Sequence, residues 1–362
     1  MNLRTSRLLD LYTTYLLASY GQATATGLAA LLPEVSHDQI TRLLSRQDFG
    51  ERDLWRIVKP HARRVQSDDA VLILDDTVEE KPYTDASELM CWHYDHTVGR
   101  NVKGINLLSA LYVSQEVSLP VAFHLVHKTE LVTDTKTGKQ KWQSPVTKNE
   151  ISRQMIQSTL QKQIPFRYVL ADSWFSSLDN MIFIKQKARK DFIIPLKDNR
   201  NVFLADPATK VGKPIKLSAI DFDSEGLRTL YLEKLPFPVL VLRQVFTNDD
   251  GSEAIAYLST SDLSLSATSL REIYQKRWKI EEYHKSLKSN ASFSKSPTKK
   301  VRTQSNHFFA SLVAFVKLEA CRITKRTNHF ALKNQIYRAA MATSLRLFQN
   351  LVRDCPGAPI TS

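Results

Sequence analysis

The run Ala70-Val-Leu-Ile-Leu74 constrains this chain more than any other segment. It is apolar at every position, which suits a strand buried on both faces of a sheet rather than one half-exposed to water. It stops at Asp75-Asp76-Thr77, so charge is set down where a buried strand ends. A second apolar strand, over residues 166–171, ends in the same way at Asp172. A single such end is ordinarily a turn or a helix cap. Two in one chain make a candidate site.

The elements around these strands give a topology. Residues 104–113 and 119–126 read as strands joined by a turn-like 114–118, forming an antiparallel meander with the first strand. Residues 128–144 read as a polar loop. Thr147 and Glu150 form a capping box for an amphipathic helix carrying Ile151, Met155 and Leu160. A helix over 177–187 and a strand over 192–196 follow Asp172. The order βββ-αβαβ is that of an RNase H-like domain, in which the first and fourth strands are adjacent and parallel. The predicted fold class is α/β: an RNase H-like mixed sheet flanked by helices, with a β-rich insertion and helical N- and C-terminal regions.

The insertion is predicted from alternating stretches over 213–222, 227–235, 238–248 and 253–259, with Asp250-Gly251 as a hairpin turn. Ser269 and Glu272 are expected to cap a long helix reaching about Lys288. The tail reads as helices over 304–325 and 331–351. The expected division is 1–66, a helical DNA-binding region; 67–196, the first part of the catalytic domain; 197–260, the insertion; 261–290, the helix returning to the catalytic domain; and 291–362, a basic linker with C-terminal helices. Within 1–66, Ser36 and Gln39 form a further capping box, and the two short helices around it resemble a helix-turn-helix with Gln39, Arg42 and Arg46 able to face DNA. A plain helical bundle is the alternative.

Charge narrows the function. Lys and Arg number 50 against 37 Asp and Glu, a net +13, which points to a polyanionic partner. The segment from Lys285 to Arg326 holds ten basic residues and one acid, Glu319, and within it Lys299, Lys300 and Arg302 are expected to track DNA. The longest apolar tail stretch, 308–316, is far short of a membrane span. The N-terminus, with Arg4, Arg7 and Asp10, reads as an amphipathic helix rather than a signal peptide. Cys91, Cys321 and Cys355 are too dispersed for a disulfide framework or a thiolate zinc site. A cytoplasmic, nucleoid-associated protein is expected.

The helix before the basic segment carries the third acidic candidate. At about 100° per residue, Tyr274, Arg277, Glu281, Lys285 and Lys288 fall within an arc of about 80°. Ile273, Ile280, Tyr283 and Leu287 lie on another arc and can enter a core. On its own this is equally a solvated face with ion pairs such as Glu281–Lys285. Together with the two strand ends it makes three carboxylates that one topology can assemble. Clustered carboxylates need a cation, and oxygen ligands favour Mg²⁺ or Mn²⁺ over zinc. A pair of such ions about 3.5–4 Å apart suits phosphodiester chemistry.

The stretch Tyr274-Gln-Lys-Arg277-Trp-Lys-Ile-Glu281-Glu-Tyr-His-Lys-Ser-Leu-Lys288 resembles the Y-x2-R-x3-E-x6-K signature of DDE transposases of the insertion-sequence-four family. Asp76-Thr77 and Asp172-Ser-Trp-Phe175 resemble its two Asp motifs. The resemblance implies that Asp76, Asp172 and Glu281 are catalytic and hold two Mg²⁺ ions, with Mn²⁺ as a substitute. It implies that Tyr274, Arg277 and Lys288, with Lys285 on the same face, grip terminal phosphates. It further implies cut-and-paste transposition, with cleavage at transposon ends through an end hairpin and strand transfer into target DNA, by a homodimer on paired double-stranded inverted repeats. A structure-specific nuclease and a non-catalytic DNA-binding regulator of transposase descent are the rival readings.

Three points stay open at this level. Neighbouring strand residues face opposite ways, so only one of Asp75 and Asp76 can face the ions. Residues 71–74 are apolar on both faces and do not decide it, and the family's Asp-Thr pairing favours Asp76. Cys91-Trp-His93-Tyr-Asp95-His96 lacks the ligands of a zinc site and reads as a DNA- or core-facing loop. The turn 99–104 and Trp174 are candidates for phosphate and base contact, against a solvated turn and a core aromatic.

Overall fold

The computed structural model describes residues 1–95, 99–133, 135, 138–209, 212–247 and 250–353. Helices α1 (Leu3–Ala18), α2 (Ala25–Leu31), α3 (His37–Arg46) and α4 (Glu51–Val65) lead into strands β1 (Val71–Glu80), β2 (Cys91–Asp95), β3 (Arg100–Ser114) and β4 (Val117–Leu125). Next come β5 (Glu130–Thr133), β6 (Gln140–Gln143), α5 (Lys148–Gln161), β7 (Tyr168–Ala171), α6 (Leu178–Ile182) and β8 (Asp191–Leu196). The insertion supplies β9 (Asn201–Phe203), β10 (Ile215–Lys216), β11 (Leu227–Leu232), β12 (Val239–Thr247) and β13 (Glu253–Thr260). The chain continues through α7 (Ala267–Gln275), α8 (Trp278–Asn290), α9 (Val301–Lys325) and α10 (His329–Arg353). It divides into two compact units, Gly50–His284 and Met1–Phe49 with Lys285–Ser362.

The first unit is built on one mixed sheet in the order β10-β9-β11-β12-β13-β8-β7-β1-β3-β2, with β4 also on β3. The apolar run lies on an interior strand: Val71, Leu72, Ile73 and Leu74 are at most 3% exposed, as a two-sided strand must be. β1 pairs antiparallel with β3 and parallel with β7, and β7 pairs parallel with β8, the RNase H-like arrangement. Helix α5 is opened by the expected Thr147–Glu150 box. A Cβ at Gly104 would collide with the Glu79 carbonyl, so the close approach of β3 to β1 there requires glycine.

Several elements differ from expectation. Residues 91–95 are an edge strand on β3 rather than a loop. Within 128–144, β5 and β6 pair as an exposed hairpin. Residues 213–222 contribute only the two-residue β10 and a 3₁₀ turn. The insertion extends the main sheet, because β13 pairs antiparallel with β8. The long helix is two: α7 is capped by Ser266 rather than Ser269, and i→i−3 bonds tighten the backbone through Lys276 and Arg277 before α8 begins.

The second unit is helical. Leu9, Tyr12 and Leu16 of α1, Ile40 and Leu43 of α3 and Phe308, Phe309 and Phe315 of α9 form its core. Buried Asn306 donates to the Leu44 and Gln47 carbonyls and accepts from the Phe49 amide, closing the end of α3. The supposed linker is partly core: Ala291, Ser292 and Phe293 are buried. Among the described residues no helix is long and apolar enough to cross a membrane.

Candidate active site

Strand register decides which groups share a face. β1 and β7 pair as far as Leu74 with Ala171. The next residues are Asp75 and Asp172, and Asp172 keeps an extended backbone (φ −82°, ψ 177°). Residues level with one another in adjacent strands project to the same face, so the register carried one residue on sets Asp75 on the face of Asp172, while Asp76 still lies near enough to raise the Asp172 carboxyl. On the other side, Asp75 is level with Ser109 of β3. The Ser109 hydroxyl lies 3.2 Å from that of buried Tyr283, which seats α8 against this face. Glu281 belongs to the same turn.

The structure therefore brings Asp75, rather than Asp76, to Glu281. Among the described residues, the ligand atoms close enough to share one ion belong to Asp75, Glu281 and His284, all within 4.8 Å of one another. Arg277 leans over the pair, 3.2 Å from Glu281 Oε1 and 3.9 Å from Asp75 Oδ2. Asp76 is occupied on the other face, where its Oδ2 accepts from Asn106 at 2.5 Å and pairs with Lys148 at 2.7 Å.

The protein leaves this cluster short of positive charge. Burial pushes the Asp75 carboxyl up to about 8, helped by the charges of Asp172, Asp76 and Glu281 and opposed by the Asp76 amide. Asp172 is also raised, by burial and by Asp76, although the Trp174 amide and Arg277 pull the other way. Burial likewise lifts the Tyr274 phenol to about 12. For Arg277 burial opposes the charge, but Tyr274, Asp75 and Glu281 outweigh it and raise its pKa. One guanidinium thus does not offset the gathered acids. A donor set of carboxylates with an adjacent imidazole fits a divalent cation.

The remaining candidates are dispersed. The Tyr274 hydroxyl reaches the Ala171 carbonyl at 3.5 Å, and its ring packs beside Arg277. Lys285 and Lys288 lie in the helical unit, where the Lys285 ammonium sits 5.2 Å from the Phe330 ring. Lys299, Lys300 and Arg302 are exposed around the start of α9. Trp174 is 52% exposed while Phe175 beside it is buried. Arg100 of the basic turn pairs with Glu80. Gln39 spends its side chain on the α3 cap, whereas Arg42 is exposed and pairs at the surface with Asp38. Cys91 Sγ lies 3.2 Å from His93 Nε2. Burial, with Lys128 and Lys148, pushes His93 down to about 3. His96 and Cys355 lie outside the described residues.

Sequence reasoning did not single out His284, though the spacing Glu281-x-x-His284 on a helix carried the signal.

No curated protein matches the chain. Among solved structures, the Drosophila P element transposase strand transfer complex is similar at 12% identity and a TM-score of 0.22, over 48% of this chain and 34% of that one. The chain thus spans about a third of that protein. A family sequence model described as DDE superfamily endonuclease matches residues 2–225, a span that takes in β1, β7 and both strand-end aspartates. With its sheet, its paired strand ends and that match over more than half its length, the chain belongs to the DDE superfamily endonucleases.

Proposed function

We propose that this protein is a DNA transposase of the insertion-sequence-four type, cleaving double-stranded DNA at transposon terminal inverted repeats and joining the freed ends to target DNA. The observation that carries the reading is the meeting of Asp75 and Glu281 over a strand end level with Asp172, with an arginine across them. Asp75, rather than Asp76, is the first carboxylate; Asp172 and Glu281 are the others. These three would hold a pair of divalent ions, Mg²⁺ or Mn²⁺, which when bound supply the charge that activates an attacking oxygen and stabilises a leaving one.

The chain's own groups position the DNA. Arg277 offers a planar donor fork for a backbone phosphate beside the carboxylates, and Tyr274 supports its stacked side. Lys285 and Lys288 continue the signature, and Lys299, Lys300 and Arg302 supply sequence-independent grip. Passage through an end hairpin, action as a homodimer on paired ends, and work in the nucleoid complete the proposal.

Cleavage of a labelled terminal-repeat duplex tests it. Asp75→Ala, Asp172→Ala and Glu281→Ala should each abolish cutting while duplex binding persists, and Asp76→Ala should retain measurable cutting. Full activity in Glu281→Ala would overturn the reading. Full activity in Asp75→Ala with loss in Asp76→Ala would return the role to Asp76.

A further inference from the structure

We propose that His284 is a metal ligand beside Asp75 and Glu281, and that it makes this ion position select Mn²⁺ over Mg²⁺. The inference rests on the reading of Asp75 and Glu281 as ligands and extends it to a residue outside the acidic set.

The placement follows from the helix and its seat. Residues three apart on a helix are neighbours on one face, with Cβ atoms about 5–6 Å apart. Glu281 and His284 have that relation within α8. Tyr283, between them, turns inward; its hydroxyl meets Ser109, which is level with Asp75 across the β1–β3 ladder. Its ring also contacts the His284 imidazole, centroid to centroid 5.2 Å. Tyr283 thus fixes the height of α8 so that Glu281 and His284 flank the carboxylate of Asp75. Ligands at about 2.1 Å in an octahedron lie about 3–4.2 Å apart. Donor atoms already within 4.8 Å need only a small closure to share one ion.

The chemistry of the third donor sets the preference. Mg²⁺ takes oxygen ligands and keeps its waters, and gains little from an imidazole. Mn²⁺ favours oxygen as Mg²⁺ does, but as a first-row transition ion it also enters mixed nitrogen and oxygen sites. His284 is only 6% exposed, so its ring is held in place rather than ordered at the moment of binding.

The test uses the full chain and the metal ions alone. Titration calorimetry with MnCl₂ and MgCl₂ should give wild-type protein at least tenfold tighter Mn²⁺ binding. His284→Gln should lose about tenfold or more in Mn²⁺ affinity and less than threefold in Mg²⁺ affinity. His284→Asp should restore binding with the preference moved toward Mg²⁺. Pulsed electron paramagnetic resonance of the Mn²⁺-loaded wild type needs no variant, and it should show coupling to a directly bound nitrogen that His284→Gln removes. Wild type without that coupling, or equal losses for both ions in His284→Gln, would overturn the inference. Failure of the underlying reading looks different: wild type would bind neither ion, and Glu281→Gln would change nothing.

Discussion

The two ends of β7 hold carboxylates in opposite conditions. At its start, Asp262 accepts hydrogen bonds from the Tyr168 hydroxyl at 2.7 Å, Arg167 at 3.1 Å, and the Ser264 hydroxyl and amide at 2.6 and 3.1 Å. Burial alone would lift its pKa, yet these donors overcome it and hold the group down to about 2. At the other end, Asp172 takes the Trp174 amide and faces Asp75, whose carboxyl burial and like charges push up to about 8. A structural carboxylate is saturated with donors from its own chain. The carboxylates at the far end are underserved, and that deficit is room for a cation brought from outside.

The comparison makes its sharpest claim about exchange of roles. Asp172→Ala should cut metal-dependent cleavage by about a thousandfold or more, since a missing ligand removes several kcal/mol of transition-state stabilisation. Its melting temperature should not fall. Asp262→Ala should do the reverse. It strands the Tyr168 hydroxyl and other donors, costing about 1–3 kcal/mol of stability, while the folded fraction keeps its activity. Calorimetric melting beside a cleavage assay reads both, and a large stability loss in Asp172→Ala would erase the distinction.

A smaller effect lies in pH. Asp262 has a folded pKa near 2 against about 3.9 unfolded. Its contribution is therefore full above about pH 4 and is lost as pH falls toward 2. Asp75 has the opposite sign: its folded pKa, about 8, lies above the unfolded one. Between about pH 4 and 8 the folded state keeps a proton that the unfolded chain releases, so stability falls as pH rises. In chelator, Asp75→Asn should flatten that alkaline decline and melt higher than wild type at pH 8, while Asp262→Asn should flatten the acid limb. Parallel melting curves for wild type and Asp75→Asn from pH 4 to 8 would contradict the assignment.

The underserved end of this contrast is partly legible in the chain, Asp262 and its donors are not, and what the chain leaves unread has a common cause. The apolar run 70–74 announced a central strand, and the acids after it and after residue 171 announced an edge worth watching. The Thr147–Glu150 and Ser36–Gln39 boxes placed their helix starts because capping is local chemistry. The choice between Asp75 and Asp76 was not local. It depends on register with β7, and residues 71–74 carry no alternation from which register could be read. The pairing of β13 with β8 is long-range in the same way. The tightened turn at Lys276 and Arg277 has no Gly or Pro to mark it. Strands β5 and β6 are exposed at each of their residues, so no buried face patterned their sequence.

The smallest predicted effect concerns what holds α8 at the underserved end. Tyr283 is 1% exposed, and its hydroxyl lies against Ser109 in the row beside Asp75. Tyr283→Phe keeps the ring and its packing and removes this hydroxyl contact. The expected stability cost is about 0.5–1.5 kcal/mol, the range for a net buried hydrogen bond. If that contact also sets the height of Glu281 over Asp75, cleavage should fall by a few-fold at saturating metal, more than the lost folded fraction explains. Ser109→Ala should give the same pair of effects, and the double variant should lose little beyond either single one, since both remove one interaction. Additive losses would mean that the Tyr283 and Ser109 hydroxyls act separately, and that α8 is held at its height by apolar packing, the Tyr283 ring and Ile280 included.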